Sequence, residues 1–348
     1  MADVLIVDDS VFMRTVIRDM LQKDPTITVA GTAADGIEAL EKIRTLQPDL
    51  ITLDIEMPKM NGLELLKELR NVRPRPKVLM LSSLTSKDAE MTEKAIRLGA
   101  DDFMLKPRDM PHVRDIADEL TAKIRHLITL AVPVLHHPQR DDLARPAAQR
   151  VVLIGSSAGG PPMLDSLLAG LPADLPAGVI ITQHMPAGFT APLAARFDRI
   201  ANMPVKETEN GDLLETGKVF VSKAGFHTIV SAAITETGVR TGRIVHTQTP
   251  PVHGVRPAVD KTFESAAQVF GKNIVSVILS GMGNDAGDGA FAIKQAGGLS
   301  FVCDEKDCLV YGMARSAMKR NAVDQVLPLE KIPDAVERAV MQMERAYV

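Results

Sequence analysis

The chain has 348 residues, enough at about 150 residues per domain for two domains that each bury a full core. With 45% hydrophobic and 24% charged residues it is too apolar for a disordered polymer, and 40 basic against 44 acidic side chains exclude nucleic-acid binding through a strong basic field. No apolar run reaches about 18 residues and no basic segment leads into an apolar run at the N-terminus, which predicts a cytoplasmic protein without membrane insertion.

The first third alternates short apolar runs with amphipathic segments. Strands are predicted at Val4–Val7, Ile27–Ala30, Leu50–Leu53, Val78–Leu81 and Phe103–Leu105, and a last helix from about Val113 to Leu130. Strand and helix in repeated alternation predict a parallel sheet covered on both faces. Ligands of such sheets bind at the carboxyl ends of the strands. Strand one ends in Asp8-Asp9, strand three in Asp54, strand four in Ser82-Ser83 and strand five in Lys106-Pro107. Carboxylates gathered at one edge repel each other, and Mg2+ relieves that repulsion. An Asp beside it can accept a phosphoryl group, with a lysine and a hydroxyl holding the phosphoryl oxygens. Each acid alone could be a turn or cap residue; the whole set on the matching strands is not explained that way.

Residues 131–149 break the pattern with Pro133, Pro138, Pro146 and mixed charge, and read as a linker. The expected partition is a first domain over 1–125, a linker over 126–149 and a second domain over 150–348. His136-His137 within the linker has no neighbouring acidic or Cys ligand and reads as solvated.

The second region predicts strands at Val151–Ile154, Val179–Thr182, Val219–Val221, Ile274–Leu279 and Leu299–Val302, with helices over 161–170, 257–270, 285–296 and 330–346. The first strand runs into Gly155-Ser156-Ser157-Ala158-Gly159, a G-x-S-x-G turn that can expose a serine hydroxyl at a strand-to-helix corner. A dinucleotide-binding turn is the rival, but the G-x-G-x-x-G spacing is absent and the next strand ends in Gln183-His184 instead of an acid. His184 is a candidate base for the serine, and Asp285 in the loop after Ile274–Leu279 is the candidate carboxylate, with Asp288 as its alternative. Cys303 and Cys308 make neither a disulfide framework nor a zinc set. Arg256 and Asp260 in VRPAVD suggest either an ion pair or a guide for an acidic or amide-rich substrate.

VLIVDD, DIEMPKMNG, LSS and LKP together resemble the receiver domain of two-component response regulators. The resemblance implies a flavodoxin-like domain with Asp54 phosphorylated, Asp8 and Asp9 holding Mg2+ together with Asp54 and the Glu56 backbone carbonyl, Ser82 as switch hydroxyl (Ser83 its rival) and Lys106 contacting the phosphate. IGSSAGGP, ITQHMPAGFT, VRPAVD, ILSGMGND and GMARSA resemble the catalytic domain of the chemotaxis-specific protein-glutamate methylesterases, the CheB family. That implies a doubly wound, Rossmann-like parallel sheet, a Ser157–His184–Asp285 triad, and the Met282 backbone N–H in the oxyanion hole. The chain departs from the family pattern at Ala158 (commonly Thr), Ala286 (usually Gly) and Ala314 (usually Pro), which bears on turnover.

The reading is a phosphorylation-activated hydrolase that removes methyl esters from chemoreceptor glutamates and deamidates receptor glutamines. Expected partners are methylated chemoreceptor helices and a chemotaxis histidine kinase, with no nucleic acid; a monomer is expected. Hydrolysis itself needs no cofactor. The unphosphorylated receiver is expected to mask the Ser157 site. The alternative is a non-catalytic module that binds a partner when Asp54 is phosphorylated, and a serine-reactive phosphonate discriminates the two.

Overall fold

A computed structural model describes residues 2–82, 94–95, 98–106, 113–129 and 145–345. The chain divides into two compact units, Met1–Ala131 and Val132–Val348.

In the first unit the strands β1 (Ala2–Val7), β2 (Ile27–Ala33), β3 (Leu50–Asp54), β4 (Lys77–Ser82) and β5 (Asp102–Leu105) form one sheet in the order β2-β1-β3-β4-β5. All of its pairings are parallel. β3 is buried at every position because both faces are covered. Ile51 and Leu53 pack with Ala39, Ile43, Leu65 and Leu66 from helices Gly36–Leu46 and Gly62–Glu68. Leu50 on the other face packs with Ile17, Leu21, Leu120 and Ile124 from helices Val11–Leu21 and Val113–Thr129. Side-chain caps start three of the helices: Ser10 accepts the Met13 N–H, Asp35 accepts Ile37 and Glu38, and Asn61 shares a capping box with Glu64. The last helix runs past the expected boundary at residue 125, because Ile124 and Leu127 continue its apolar stripe into the core.

The second unit holds a seven-stranded sheet in the order β14-β13-β12-β6-β7-β9-β8. Its members are β6 (Val151–Ser156), β7 (Gly178–Gln183), β8 (Val205–Glu207), β9 (Val219–Val221), β12 (Ile274–Ile278), β13 (Leu299–Cys303) and β14 (Gln325–Leu327), all paired in parallel. Residues assigned to the linker belong to this unit: Ala148 is buried, its N–H donates to Leu214 O at 2.8 Å, and Thr216 N–H donates to Pro146 O at 2.8 Å.

One element differs in kind from expectation. β10 (His227–Ile234) and β11 (Arg240–Thr247) form an antiparallel hairpin outside the parallel sheet. Its sequences HTIVSAAI and RTGRIVHT mix polar residues with short apolar pairs, Ile229-Val230 and Ile244-Val245, so neither a solid apolar run nor a strict alternation marks it. Packing on helix Val259–Phe270 holds it: Ser265 Oγ accepts the Val230 N–H at 3.0 Å and Thr262 Oγ1 donates to Thr228 O at 2.9 Å. Short β8 and β14 and helices Thr190–Asp198 and Gly312–Lys319 were also not predicted; their apolar signal is too brief to separate from loop.

Each sheet reverses its winding order at one point. In the first unit this lies between β1 and β3, in the second between β6 and β12. The loops at that point diverge and leave a crevice beyond the carboxyl ends of the strands.

Candidate active site

At the crevice of the first unit, Asp8 follows β1 and is fully buried, while Asp54 ends β3 and is 7% exposed. Lys106, just after β5, sets its ammonium 2.8 Å from both Asp8 Oδ2 and Asp54 Oδ2. Asp54 Oδ1 accepts the Ile55 N–H at 2.8 Å, and Asp8 Oδ1 accepts that of Ser10 at 2.9 Å. Burial pushes Asp54 up to about 6, against the pull of Lys106, and the Asp8 charge adds to the push. Burial lowers Lys106, but the two carboxylates outweigh it and hold its ammonium more firmly protonated than usual. Oxygens of Asp8, Asp9 and Asp54 lie within 4.8 Å of one another. Asp8 Oδ2 is buried and, despite its closeness to Lys106, makes no well-aligned hydrogen bond. An under-coordinated oxygen among three carboxylates fits a hard divalent cation. Helix Gly62–Glu68 presses on this edge: a Cβ at Gly62 would stand 2.2 Å from Asp54 O, so that position admits only glycine. Ser82 ends β4; its side chain and the whole of Ser83 lie outside the described residues. Glu56 lies in the loop just beyond β3.

The crevice of the second unit gathers residues from the ends of β6, β7 and β12. The ends of β6 and β7 are tied together: the His184 N–H donates to Ser156 O at 2.9 Å, and Gln183 Nε2 donates to Ser157 O and His184 O, each at 2.9 Å. Ser156 is fully buried and its hydroxyl donates to Gln183 Oε1 at 2.6 Å, so it is spent on structure. Ser157 is half-buried, and its N–H donates to Ser280 O at 2.8 Å, which fixes the turn against the β12 loop. Gly159 has φ +76°, and a Cβ there would meet Leu309 Cβ at 2.6 Å; the turn needs glycine for both reasons.

His184 Nε2 lies 2.7 Å from Asp285 Oδ2. Asp285 is 1% exposed and is surrounded by donors. The start of helix Val259–Phe270 aims Val259 N–H at Oδ2 (2.6 Å) and Asp260 N–H at Oδ1 (2.8 Å), and Ala286 N–H reaches Oδ1 at 2.9 Å. Burial alone would raise this carboxyl; the His184 contact and the two helix amides outweigh it and hold it below the ordinary carboxylate range. Asp288, the alternative, instead pairs with Arg320 Nε at 2.6 Å on the surface. Ser157 and His184 are not hydrogen-bonded to each other; catalytic contacts of this kind often close only around bound substrate. The Met282 side chain is 73% exposed, and its N–H has no acceptor among the described residues.

Two sequence expectations take a different form. Arg256 and Asp260 do not pair: Arg256 Nη1 donates to Gln248 O and Thr249 O, whereas Asp260 Oδ2 lies 2.9 Å from His253 Nε2. His253 and the amides of Val259 and Asp260 went unnoticed in the sequence; the only hint was Asp260 in the first turn of a helix. Ala286, where glycine was expected, does adopt φ +76°, so the loop keeps its shape at the cost of strain.

The chain matches the family models for CheB methylesterase over residues 152–336 and for the response regulator receiver domain over residues 4–118. A relative in Methanospirillum hungatei, "Protein-glutamate methylesterase/protein-glutamine glutaminase 1", is 58% identical over 344 residues, covering 99% of each chain. A relative in Thermotoga maritima, "Protein-glutamate methylesterase/protein-glutamine glutaminase", is 40% identical and spans 95% of this chain and 96% of its own. The crystal structure of the Thermotoga maritima CheB methylesterase catalytic domain matches with TM-score 0.52 and 37% identity, over 54% of this chain and 97% of that one. No helix among the described residues is long and apolar enough to cross a membrane.

Proposed function

The chain belongs to the CheB methylesterase family, and from that premise we propose that it hydrolyses the methyl esters of glutamate side chains on chemoreceptors, and the amides of receptor glutamines, under the control of phosphorylation at Asp54. The observation that carries this reading is the 2.7 Å contact between His184 Nε2 and an amide-held Asp285, at the same strand ends that present the Ser157 hydroxyl.

With Nε2 engaged by Asp285, His184 is left with Nδ1 to take the Ser157 proton. Ser157 Oγ attacks the ester carbonyl, and negative charge develops on its oxygen. The Met282 N–H is available to that oxyanion. His184 returns the proton to the departing methanol, and water repeats the sequence on the acyl-enzyme to leave glutamate and free Ser157. With an amide the same steps release ammonia. Asp285 holds the imidazole in one tautomer and stabilises the imidazolium; its depressed proton affinity keeps it ionised throughout.

In the first unit Asp54 is the phosphoryl acceptor, with a histidine kinase as donor. Asp8, Asp9, Asp54 and the Glu56 carbonyl would hold Mg2+, which supplies charge neutralisation for phosphoryl transfer. Lys106 contacts the phosphoryl oxygens, and Ser82 serves as the switch hydroxyl. The protein works in the cytoplasm as a monomer. Domain limits of 1–125 and 150–348 around a linker accompany this reading, with the terminal helix and the Pro146–Ala148 contacts extending the two folded parts.

The test is methanol release from membranes bearing methylated receptors, with and without a small-molecule phosphodonor. Phosphodonor should raise the rate in the wild-type protein, and Ser157→Ala should release none. No methanol release by the wild-type protein with phosphodonor would end the esterase reading, and release by Ser157→Ala at the wild-type rate would end the assignment of Ser157 as nucleophile. Labelling of Ser157 by a phosphonate separates it from a pure binding module.

A further inference from the structure

Two aspartates are exchanged between two helix starts beside the triad. Asp285 stands just ahead of helix Gly287–Gln295 and accepts amides from helix Val259–Phe270. Asp260, in the first turn of helix Val259–Phe270, accepts the Gly289 N–H of the other helix on Oδ1 at 2.7 Å. Its second oxygen meets His253 Nε2 at 2.9 Å. Two ionisable carboxyls, 1% and 3% exposed, therefore sit side by side, and each is bound to a histidine. Burying a second acid next to the triad carboxylate is costly, and packing alone does not call for it.

The approach of His253 is also built. Val252 and Val255 exchange backbone hydrogen bonds at 3.1 and 3.0 Å, closing a two-residue turn in which His253 (φ +52°) and Gly254 (φ +78°) both have positive φ. Asn-Gly is the usual pair for such a turn. A histidine there bears local strain while its ring spans from solvent to a buried carboxylate: its side chain is 31% exposed against 4% for Asp260.

We propose that His253 and Asp260 are positioning residues for ester hydrolysis, a second histidine–aspartate pair whose negative charge is felt through Asp285 by His184. His253 donates to Asp260 and keeps it ionised; the Asp260 charge in turn favours the imidazolium that forms on His184 in the transition state. This rests on the Ser157–His184–Asp285 reading above. The surrounding charges leave the role to this pair. Asp288 also comes within 4.8 Å of the two, but it is neutralised by Arg320. On the far side His227 is fully buried, accepts the Ala258 N–H on Nδ1 and is held neutral by its burial, with Arg256 and Lys261 acting in the same sense. Burial and the Asp285 charge raise Asp260 to about 6, opposed by the Gly289 amide and His253, so its ionisation is poised for a partner to decide.

The experiment is the pH dependence of kcat and kcat/KM for methanol release by the full-length protein with phosphodonor in excess. The receiver is common to every variant, so its own pH response cancels in the comparison. Removing the negative charge in Asp260→Asn should make His184 easier to deprotonate. The acid limb of kcat/KM should move to lower pH by roughly half a unit, about threefold in the active fraction there, less than an adjacent charge produces. On the alkaline plateau kcat should fall severalfold with KM unchanged. His253→Asn, which suits the turn but is too short to reach Asp260, should shift the limb in the same direction by less; His253→Gln, which keeps an N–H within reach, should restore it. An acid limb at the wild-type pH in Asp260→Asn, or one moved upwards, overturns the proposal. If Asp260→Asn does not fold, an unmoved limb in His253→Asn overturns it equally. Should Ser157→Ala remain active, it is the triad reading that has failed; should Ser157→Ala be dead while the limbs stay put, only the role of this pair has.

Discussion

Asp54 ends β3 and Asp285 lies in the loop after β12, each beside the point where the winding of its parallel sheet reverses, and each is nearly buried. Their acidities diverge. Asp54 has one amide, one shared lysine and a neighbouring carboxylate, and burial wins, pushing it up to about 6. Asp285 has three amides and a histidine, and the donors win, holding it below the ordinary range. Donor count, not burial or residue type, separates a carboxylate kept reactive from one kept as a fixed charge. The proposed function uses that difference: chemistry on the oxygen of Asp54, and support of another residue's chemistry by Asp285.

The largest effects should come from removing those roles outright. Asp54→Asn should incorporate no phosphoryl group from a small-molecule donor in Mg2+, measured as acid-labile phosphate per chain, while Ser157→Ala and His184→Ala incorporate it normally and release no methanol. Asp285→Asn should lose up to about 10⁴-fold in kcat. If instead Asp288→Asn is crippled and Asp285→Asn is active, the carboxylate has been assigned wrongly.

A smaller and sharper break concerns stability, where the same Asp→Asn change should act with opposite sign. Asp54 binds its proton more tightly folded than unfolded, so between about 6 and 3.8 the folded state gains stability as pH falls. At neutral pH without Mg2+ its charge costs up to about 3 kcal/mol, and Asp54→Asn should raise the melting temperature of the receiver transition. Asp285 is the reverse: its contribution is present above the unfolded pKa and is lost as pH falls through the lower folded value. Asp285→Asn sets an NH2 against an N–H donor and should cost about 1–3 kcal/mol in the catalytic-domain transition. Calorimetry of the two variants reads both signs, and equal signs would show that donor count is not the controlling difference.

The smallest effect tests the loop that presents Asp285. Ala286 holds φ +76° with its side chain buried. Ala286→Gly should relieve strain of about 1–2 kcal/mol, less the lost methyl burial, for a net gain of at most about 1 kcal/mol in thermal unfolding and little change in kcat. Marked destabilisation would mean that the methyl's packing outweighs the backbone strain.

Chain order, strand placement and the residues at strand ends were legible because solid runs such as Val151–Ile154 and Leu50–Leu53 fall between glycine- and aspartate-rich turns, and a parallel sheet puts those turns on one edge. Where apolar content thins the signal fails, as in the hairpin of β10 and β11, which is held by hydroxyl-to-backbone bonds with helix Val259–Phe270 that no periodicity announces. Domain limits blurred for a related reason. Pro146 reads as linker, yet its carbonyl is an acceptor for Thr216, a partner 70 residues away.

The sequence by itself determined the two α/β units, the serine at its elbow, and the carboxylates and lysine of the receiver edge, because each is local: a run of apolar residues followed by a turn residue of defined chemistry. Only the tertiary structure showed that His253 and not Arg256 partners Asp260, that helix amides hold Asp285 while Asp288 pairs with Arg320, and that the Ser156 hydroxyl is tied to Gln183. Each of those contacts turns on which group from a distant segment arrives within about 3 Å. Asp285 is selected by amides of a helix that begins 26 residues earlier, and Ser156 is removed from contention by Gln183 on the next strand. Such pairings depend on the register of packed elements, which side-chain type and spacing along one segment do not encode.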